Sequence, residues 1–552
     1  MSTTSIAISP SAPASPLARR ATGPWGRLPM VVAAATLVLA WAGLLLTHVS
    51  PRPAVPRAAA LHLILSDPGL ARMLARDHWR RVVITTLDNR DEELGFYRGG
   101  RMVATVTVGR TPRGLFTDAT DLAHEKYAYG SNIGNDPRVL AGLAVVFVLM
   151  TAVWPLWRLR NLDAVVAAGT AASVILFNHW TLSRMVLVSY PAMIYLALRC
   201  AWQALAPPGS RLPATPLYEQ LTRRWTPESR HRVLRLLAAA LALITFMVGV
   251  TSLHVVDVGY AVMEGATDLA HGVLPYGHIP DILHGDTYPL ASYLLYLPFA
   301  ALGPVYSAWD NADATLFLAV AAALVAAWGV WRLAGRLSCS TGGLRAAVAL
   351  LAFPPLLVTV STGTTDVVLA AMLIAVLVLW HRPTWASATL SAAAWFKAAP
   401  ALLLPLLLVR LRGRGLVRAL AALLAVSLAL LGVLVGVGGL GAPARMLSAI
   451  AFQFERSSPH TLWAFVGAVP FQPLAEAMTL ALVAGAAVKL RRDPRLAADR
   501  NRVAALFGAA LLGVQIAASY WNYMYLIWAL PFLVLALFPP SVEWTPPAAE
   551  AP

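Results

Sequence analysis

The chain has 552 residues, 58% of them hydrophobic and only 13% charged, with a formal net charge of +16 and a mean hydropathy of +0.65. A soluble globular protein carries about a quarter charged residues, and many runs here approach the roughly 20 apolar residues that cross a hydrocarbon core. A soluble enzyme and a disordered chain are therefore excluded, and continuous rather than alternating apolar runs argue against a transmembrane β-barrel. The pattern is that of an all-α polytopic membrane protein. The positive excess reads as topology, because Arg collects in cytoplasmic loops. No basic groove with interleaved aromatics points to a nucleic-acid partner.

In chain order, residues 1–28 read as a disordered cytoplasmic tail, and 29–49 as a first transmembrane helix, a retained signal anchor. Residues 50–137 are polar. Arg81 to Asp88 and Leu94 to Gly109 alternate like strands, with Gly99-Gly100 as a turn, so this stretch is predicted to be a small extracytoplasmic α/β insert. Transmembrane helices 2–4 fall in 138–205, and 206–234 is a Pro- and Arg-rich cytoplasmic linker. A helical core occupies 235–540, followed by a cytoplasmic tail, 541–552. Within the core, helices are expected near 235–253, 313–333, 343–360, 362–381, 384–396, 399–411, 416–437, 472–489, 502–519 and 523–539. A short Pro-bounded apolar segment at 289–303 is expected to be re-entrant or interfacial. The positive-inside rule then gives roughly 14 crossings with both termini inside. Arg- and Ala-rich, Lys-poor usage points to a bacterium, and so to its cytoplasmic membrane.

The loop 254–288 is the most unusual stretch. It holds Asp257, Glu264, Asp268, Asp281 and Asp286, with His254, His271, His278 and His284, and no Lys or Arg. Acids and His just outside a helix end suit proton or cation handling; the plainer alternative is a translocated, solvated loop. Asp257 follows helix 235–253 directly, so its backbone is expected to be fixed and its carboxylate partly desolvated and more basic. The alternative for Asp257 is a simple interfacial acid. His271, His278 and nearby acids are a loose metal-ligand set of no recognised spacing; a divalent metal is compatible with them, but none is predicted and no cofactor is assigned.

Two further elements are expected on the same side. Gln453-Phe454-Glu455-Arg456-Ser457, followed by His460, offers a guanidinium that can fork onto phosphate; the alternative is a juxtamembrane Glu455–Arg456 ion pair. Lys397, in Trp395-Phe396-Lys397-Ala398-Ala399-Pro400, is one of only three Lys in the chain. An ammonium at that depth calls for an anionic partner such as a lipid phosphate, unless it snorkels to the headgroups. Trp521 and Asn522 open the last helix and either line a sugar pocket or belong to an interfacial aromatic belt. Asp366 reads as a residue that complements a helix dipole.

The run Asp257-Val-Gly-Tyr260, Gly265-Ala266-Thr267-Asp268, Gly272, Pro275-Tyr276-Gly277, Tyr288-Pro289-Leu290 and Pro298 resembles the first extracytoplasmic loop of GT-C fold glycosyltransferases. Trp395 to Pro400 and Gln453 to Ser457 resemble the lysine–proline helix pair and the Gln…Arg…Ser loop of glycosyltransferase family 87. The resemblance covers about 235–540 and leaves out 1–234. It implies a GT-C-like bundle and an inverting hexosyltransferase of cell envelope biosynthesis. The implied donor is a polyprenyl-phosphate sugar, mannose in the family's mannosyltransferases, and the implied acceptor is a lipid or glycan hydroxyl. It further implies an active site on the extracytoplasmic side, Asp257 as general base, and basic residues at the departing phosphate, for which Arg456 and Lys397 are the candidates with His460 behind them. Glu264, Asp268, His271, Tyr276, His278, Tyr288, Glu455, Trp521 and Asn522 are the expected substrate contacts. Membrane lipids are the other partners. The rival reading is a lipid or glycan transporter or flippase, which is expected to place acids near mid-helix; the sequence suggests few buried acids.

Overall fold

A computed structural model describes residues 34–35, 37–39, 42, 55–87, 90–111, 114–121, 134, 136–178, 181–205, 214–252, 255–279, 282, 284–302, 312–335, 341–455 and 461–538. The terminal tails and most of the predicted first helix lie outside these residues.

The polar insert is α/β, as expected, and fuller than its alternation suggested. Helices α1 (Arg57–Ser66) and α2 (Pro68–Arg76) precede strands β1 (Arg81–Thr86), β2 (Glu92–Arg98), β3 (Arg101–Thr111) and β4 (Gly114–Asp121). The strands form one antiparallel sheet in sequence order. Asp67 caps α2 by accepting the Gly69 and Leu70 amides at 2.7 and 3.0 Å, with Pro68 at the first helical position, where its missing N–H is harmless. Leu70, Met73 and Leu74 of α2 bury against Leu94, Phe96, Val106 and Val108 of the sheet. Gly99 adopts φ +65 in the β2–β3 turn, a left-handed conformation that favours glycine.

The rest of the described chain is helical, apart from a two-strand pairing of Val153–Trp154 with Thr215–Pro216. In order come α3 (Pro137–Thr151), α4 (Leu159–Gly169), α5 (Ala171–Asn178), α6 (Leu182–Leu205), α7 (Leu217–Leu221), α8 (Pro227–Thr251), α9 (Asp257–Ala270), α10 (Leu290–Leu302) and α11 (Ala312–Gly335). Then follow α12 (Thr341–Leu351), α13 (Pro354–Ser361), α14 (Asp366–Val378), α15 (Pro383–Phe396), α16 (Leu404–Leu408), α17 (Gly413–Gly438), α18 (Ala442–Glu455), α19 (Leu462–Phe465), α20 (Gln472–Arg492), α21 (Pro494–Ala498), α22 (Arg500–Ala517) and α23 (Leu526–Leu537). Every residue of α23 is buried. It packs against α22, α14 and α6, so an all-apolar helix sits at the centre of the bundle. By contrast, only 11% of the apolar window of Gly413–Gly438 and 17% of that of Val469–Arg492 are buried. Apolar helices that leave their surface uncovered are built to face lipid.

Among the described residues six helices are long and apolar enough to cross a membrane, or seven if the bent pair α12–α13 counts as one span. The chain is a multi-pass membrane protein, and its described residues hold fewer full-length spans than their hydropathy suggested. The reason is local. The stretch 343–360 breaks by 56° ahead of Pro354-Pro355, where proline removes helix donors and clashes with the preceding turn. Residues 362–381, 384–396 and 399–411 become short helices. The segment 289–303 is the 13-residue α10, about 20 Å long at 1.5 Å per residue and too short to span. Helix α8 begins at Pro227, inside the stretch read as linker, with Thr226 capping it.

Among the described residues few acids are buried between the helices, as expected, with two exceptions. Asp163 and Asp366 are both buried among the helices. Each is neutralised. Arg199 grips Asp163 through two bonds of 2.7 and 2.9 Å, with Tyr195 donating to the same carboxylate at 2.7 Å, and Lys397 pairs with Asp366. A carboxylate held by an internal cation is structural glue between helices.

Candidate functional site

The largest local difference from expectation lies in 254–288. Much of it is a helix, not a loop: α9 opens at Asp257 and runs for 14 residues. Its polar residues recur at helical spacing. Positions 257, 264, 268 and 271 fall within about one-fifth of a turn of each other at 100° per residue, so Asp257, Glu264, Asp268 and His271 form one stripe. All four are partly exposed or exposed, while Tyr260, Ala261, Val262, Met263, Gly265 and Ala266 are buried.

Two glycines seat α9. A Cβ on Gly259 would meet the Gly363 carbonyl at 3.0 Å and Val255 at 2.4 Å, so the helix start rests on the turn before α14. The Val256 amide donates to the Thr362 carbonyl at 3.1 Å, and Ser252 Oγ donates to the Ser361 carbonyl. A Cβ on Gly265 would lie 2.3 Å from the buried Tyr293 ring. Gly265→Ala is therefore expected to lower stability by about 1–3 kcal/mol through overpacking. Gly142→Ala, with nothing within 4 Å of the new Cβ, is expected to be neutral or slightly stabilising. Thermal unfolding in detergent micelles checks both.

Asp257 is exposed at the first position of α9, and its carboxylate accepts the Val258 amide at 2.8 Å. Its place at the positive end of the helix favours its negative charge. Three turns on, Asp268 is half-buried and its Oδ2 has no hydrogen-bond partner. Burial raises its carboxyl to about 6, opposed by His278 and His271. His271 is exposed, its Nδ1 2.8 Å from the Thr267 carbonyl. Glu264 is half-buried one turn before Asp268.

The chain after α9 folds back as an aromatic wall. Tyr276 is buried; its hydroxyl donates to the Tyr288 carbonyl at 3.2 Å, and its ring meets Tyr293 edge-on at 6.1 Å. Burial and the neighbouring Asp286 push the Tyr276 phenol up. Asp286 in turn accepts the Gly277 amide at 2.7 Å. Helix α18 closes over this turn: Phe452 stacks on His284 at 3.6 Å between centroids, and Gln453 donates to Thr287. The Gln453 segment and the acid- and His-rich segment thus meet. Arg456, His460 and the side chain of Glu455 lie outside the described residues, as do His254 and Asp281.

Beneath Tyr288 is a group that sequence reasoning separated. Lys397 sits in extended backbone between α15 and a 3-10 turn, Ala399–Leu403. Its Nζ lies 2.6 Å from Asp366 Oδ1, the same oxygen that accepts Trp528 Nε1 at 2.7 Å. Tyr525 and Trp528, stacked on each other, each put a ring centroid 5.2 Å from Nζ, and Tyr288 one at 6.0 Å. The anionic partner that Lys397 demanded is thus an internal carboxylate. Asp366, read as a helix-dipole residue, was missed as its partner. The usable signal was a single acid and a single Lys in otherwise apolar helices, each requiring an opposite charge.

Trp521 is buried, its indole 5.4 Å from Tyr190 and donating to Gln515 at 3.3 Å, so it presents packing rather than a ligand face. Asn522 caps the 3-10 turn of Tyr523–Tyr525 by accepting the Met524 amide at 3.1 Å. Among the described residues no three His, Cys, Asp or Glu side chains come together as a metal-ligand set.

The described residues form a multi-pass helical bundle with an acid stripe and an adjoining aromatic wall, and the family match supports reading it as a membrane glycosyltransferase. Residues 287–519 match the model of glycosyltransferase family 87, consistent with the GT-C-like bundle that the sequence resemblance implied. The match covers α10 to α22, including Lys397, Asp366 and Gln453, and begins after α9. No curated protein and no solved structure matches the chain.

Proposed function

We propose that this membrane glycosyltransferase moves mannose from a polyprenyl-phosphate donor to a hydroxyl of a lipid or glycan acceptor. The reaction takes place at the outer face of a bacterial cytoplasmic membrane, in cell envelope biosynthesis. The observation that carries this reading is the stripe of Asp257, Glu264 and Asp268 on the open side of α9, directly before the family-matched segment. Asp257 takes the proton of the acceptor hydroxyl. The hydroxyl oxygen bonds to the anomeric carbon as the bond from that carbon to the phosphate oxygen breaks, and polyprenyl phosphate leaves with inversion. Cations near a departing phosphate stabilise its charge. Lys397 is already neutralised by Asp366, so Arg456 and His460 are the candidates for that task, and Lys397 holds the floor beneath Tyr288.

A donor comparison tests this reading. Reconstituted protein is expected to transfer mannose from polyprenyl-phosphate mannose and not from a nucleotide-linked mannose; transfer from the nucleotide donor alone would refute the lipid-linked donor. The transporter alternative predicts movement of intact lipid with no new glycosidic bond.

A second assignment of the base rests on Asp268. Its carboxyl, raised to about 6 with one oxygen unpartnered, has the basicity a general base needs near neutral pH. Asp257 and Asp268 are 11 residues apart, about 16 Å along the helix, so one hydroxyl cannot use both. If Asp268 is the base, it must be deprotonated to act. The transfer rate is then expected to be level above pH 6 and to fall about tenfold per pH unit below it. A rate flat from pH 7 to pH 5 would exclude Asp268.

A further inference from the structure

The insert contains a basic pocket that the transfer reaction does not use. It has a volume of about 540 Å³ and is lined by His78, Arg80, Arg81, Tyr97, Arg98 and Gly99. We propose that it is a phosphate-binding site.

Three local devices bring these groups together. His78 leaves α2 with φ +49, a left-handed conformation rare for a non-glycine residue, and so turns the chain sharply into β1. A register shift at Phe96/Tyr97 makes Tyr97 face Met102, and bulges of this kind re-aim side chains. The turn at Gly99-Gly100 sets Arg98 opposite Arg101 at the sheet end. On the neighbouring strand Arg81 pairs with Tyr97 in register, and the Arg80 amide donates to the Tyr97 carbonyl at 2.8 Å.

The electrostatics are one-sided. Among the described residues no ion pair joins Arg80, Arg81 or Arg98 to a carboxylate. Asp77, beside His78, is buried and has a partner of its own, while at the far end of β2 Glu92 is held by Thr86 and Arg57 and Glu93 by Thr105. Three guanidiniums gathered without a counter-charge repel each other, and a bound anion relieves that repulsion. Arg81 is already steadied over the Tyr97 ring at 4.8 Å. Guanidinium forks match the oxygens of a phosphate group bidentately, and the volume falls in the range of small-ligand pockets. The phosphate comes either from a soluble phosphate ester or from a lipid headgroup.

The test uses the full chain in dodecyl maltoside micelles at constant ionic strength and reads hydrogen exchange over residues 77–101. One arm titrates inorganic phosphate; the other dopes the micelles with phosphatidic acid. The wild type is expected to show saturable protection of this stretch. The Arg81→Gln/Arg98→Gln variant is expected to need about tenfold more phosphate or beyond, as losing hydrogen bonds to a charged group implies. Both arginines are exposed, and native exchange in the β3 core confirms that the variant folds. Arg72→Gln, an exposed α2 position outside the pocket, is expected to bind as wild type does. Protection in the lipid arm alone identifies a headgroup, and protection by free phosphate alone a soluble ester. Absence of saturable protection in both arms, or equal affinity of the double variant, overturns the proposal.

Discussion

Asp257→Asn is expected to reduce sugar transfer by about 10²- to 10⁴-fold, the range that a positioned general base contributes. Asn keeps the size of the side chain and its ability to accept the Val258 amide, so α9 is expected to keep its start. The loss therefore belongs to kcat rather than to KM for the donor. Asp257 is exposed at the start of α9. Asp268→Asn is the informative partner. If Asp257 is the base, Asp268→Asn alters acceptor binding and the pH profile and retains turnover. The opposite pattern, an active Asp257→Asn and an inactive Asp268→Asn, moves the base three turns along α9.

The second large effect concerns stability. Lys397→Met and Asp366→Asn are each expected to destabilise the bundle, by about 3–5 kcal/mol for Lys397→Met, because removing one partner strands a buried charge. The Lys397→Met/Asp366→Asn double variant is expected to recover most of that loss. Its Asn can still accept Trp528 Nε1, and a Met stem still packs against Tyr525 and Trp528. Unfolding midpoints of the four proteins in the same micelles check this. Additive losses in the double variant would show that the two side chains act separately. Because Tyr288 lies over Lys397 and its carbonyl accepts from Tyr276, the single variants are also expected to loosen the wall beside α9.

The parts of the fold visible in the sequence were those set by local period. The β2–β3 hairpin followed from alternation around Gly99-Gly100, and lipid-facing α17 and α20 from long apolar runs. Helix α9 was hidden because its polar residues, read one after another, look like a loop; only their spacing at 257, 264, 268 and 271 reveals a face. The break before Pro354-Pro355 was averaged into one span, and the short α14 and α15 were counted as crossings, because hydropathy averages over such interruptions and blurs helix ends. The pairings Asp163–Arg199 and Asp366–Lys397 join residues on different helices. Apolar periodicity says nothing about which helix neighbours which, so the sequence showed that Lys397 needed an anion but not that Asp366 supplies it. Trp521 could not be assigned from sequence, since a buried packing indole and a sugar-stacking one have the same neighbours in the chain.

The most direct test of the glycosyltransferase account follows both products at once. Wild-type protein in lipid vesicles is given polyprenyl-phosphate mannose labelled in the sugar and in the polyprenyl chain, with a bacterial lipid extract as acceptor pool. The account predicts free polyprenyl phosphate and a mannosylated acceptor in equal amounts. Intact donor, with neither product formed from mannose-, glucose- or arabinose-bearing polyprenyl phosphates, would contradict it.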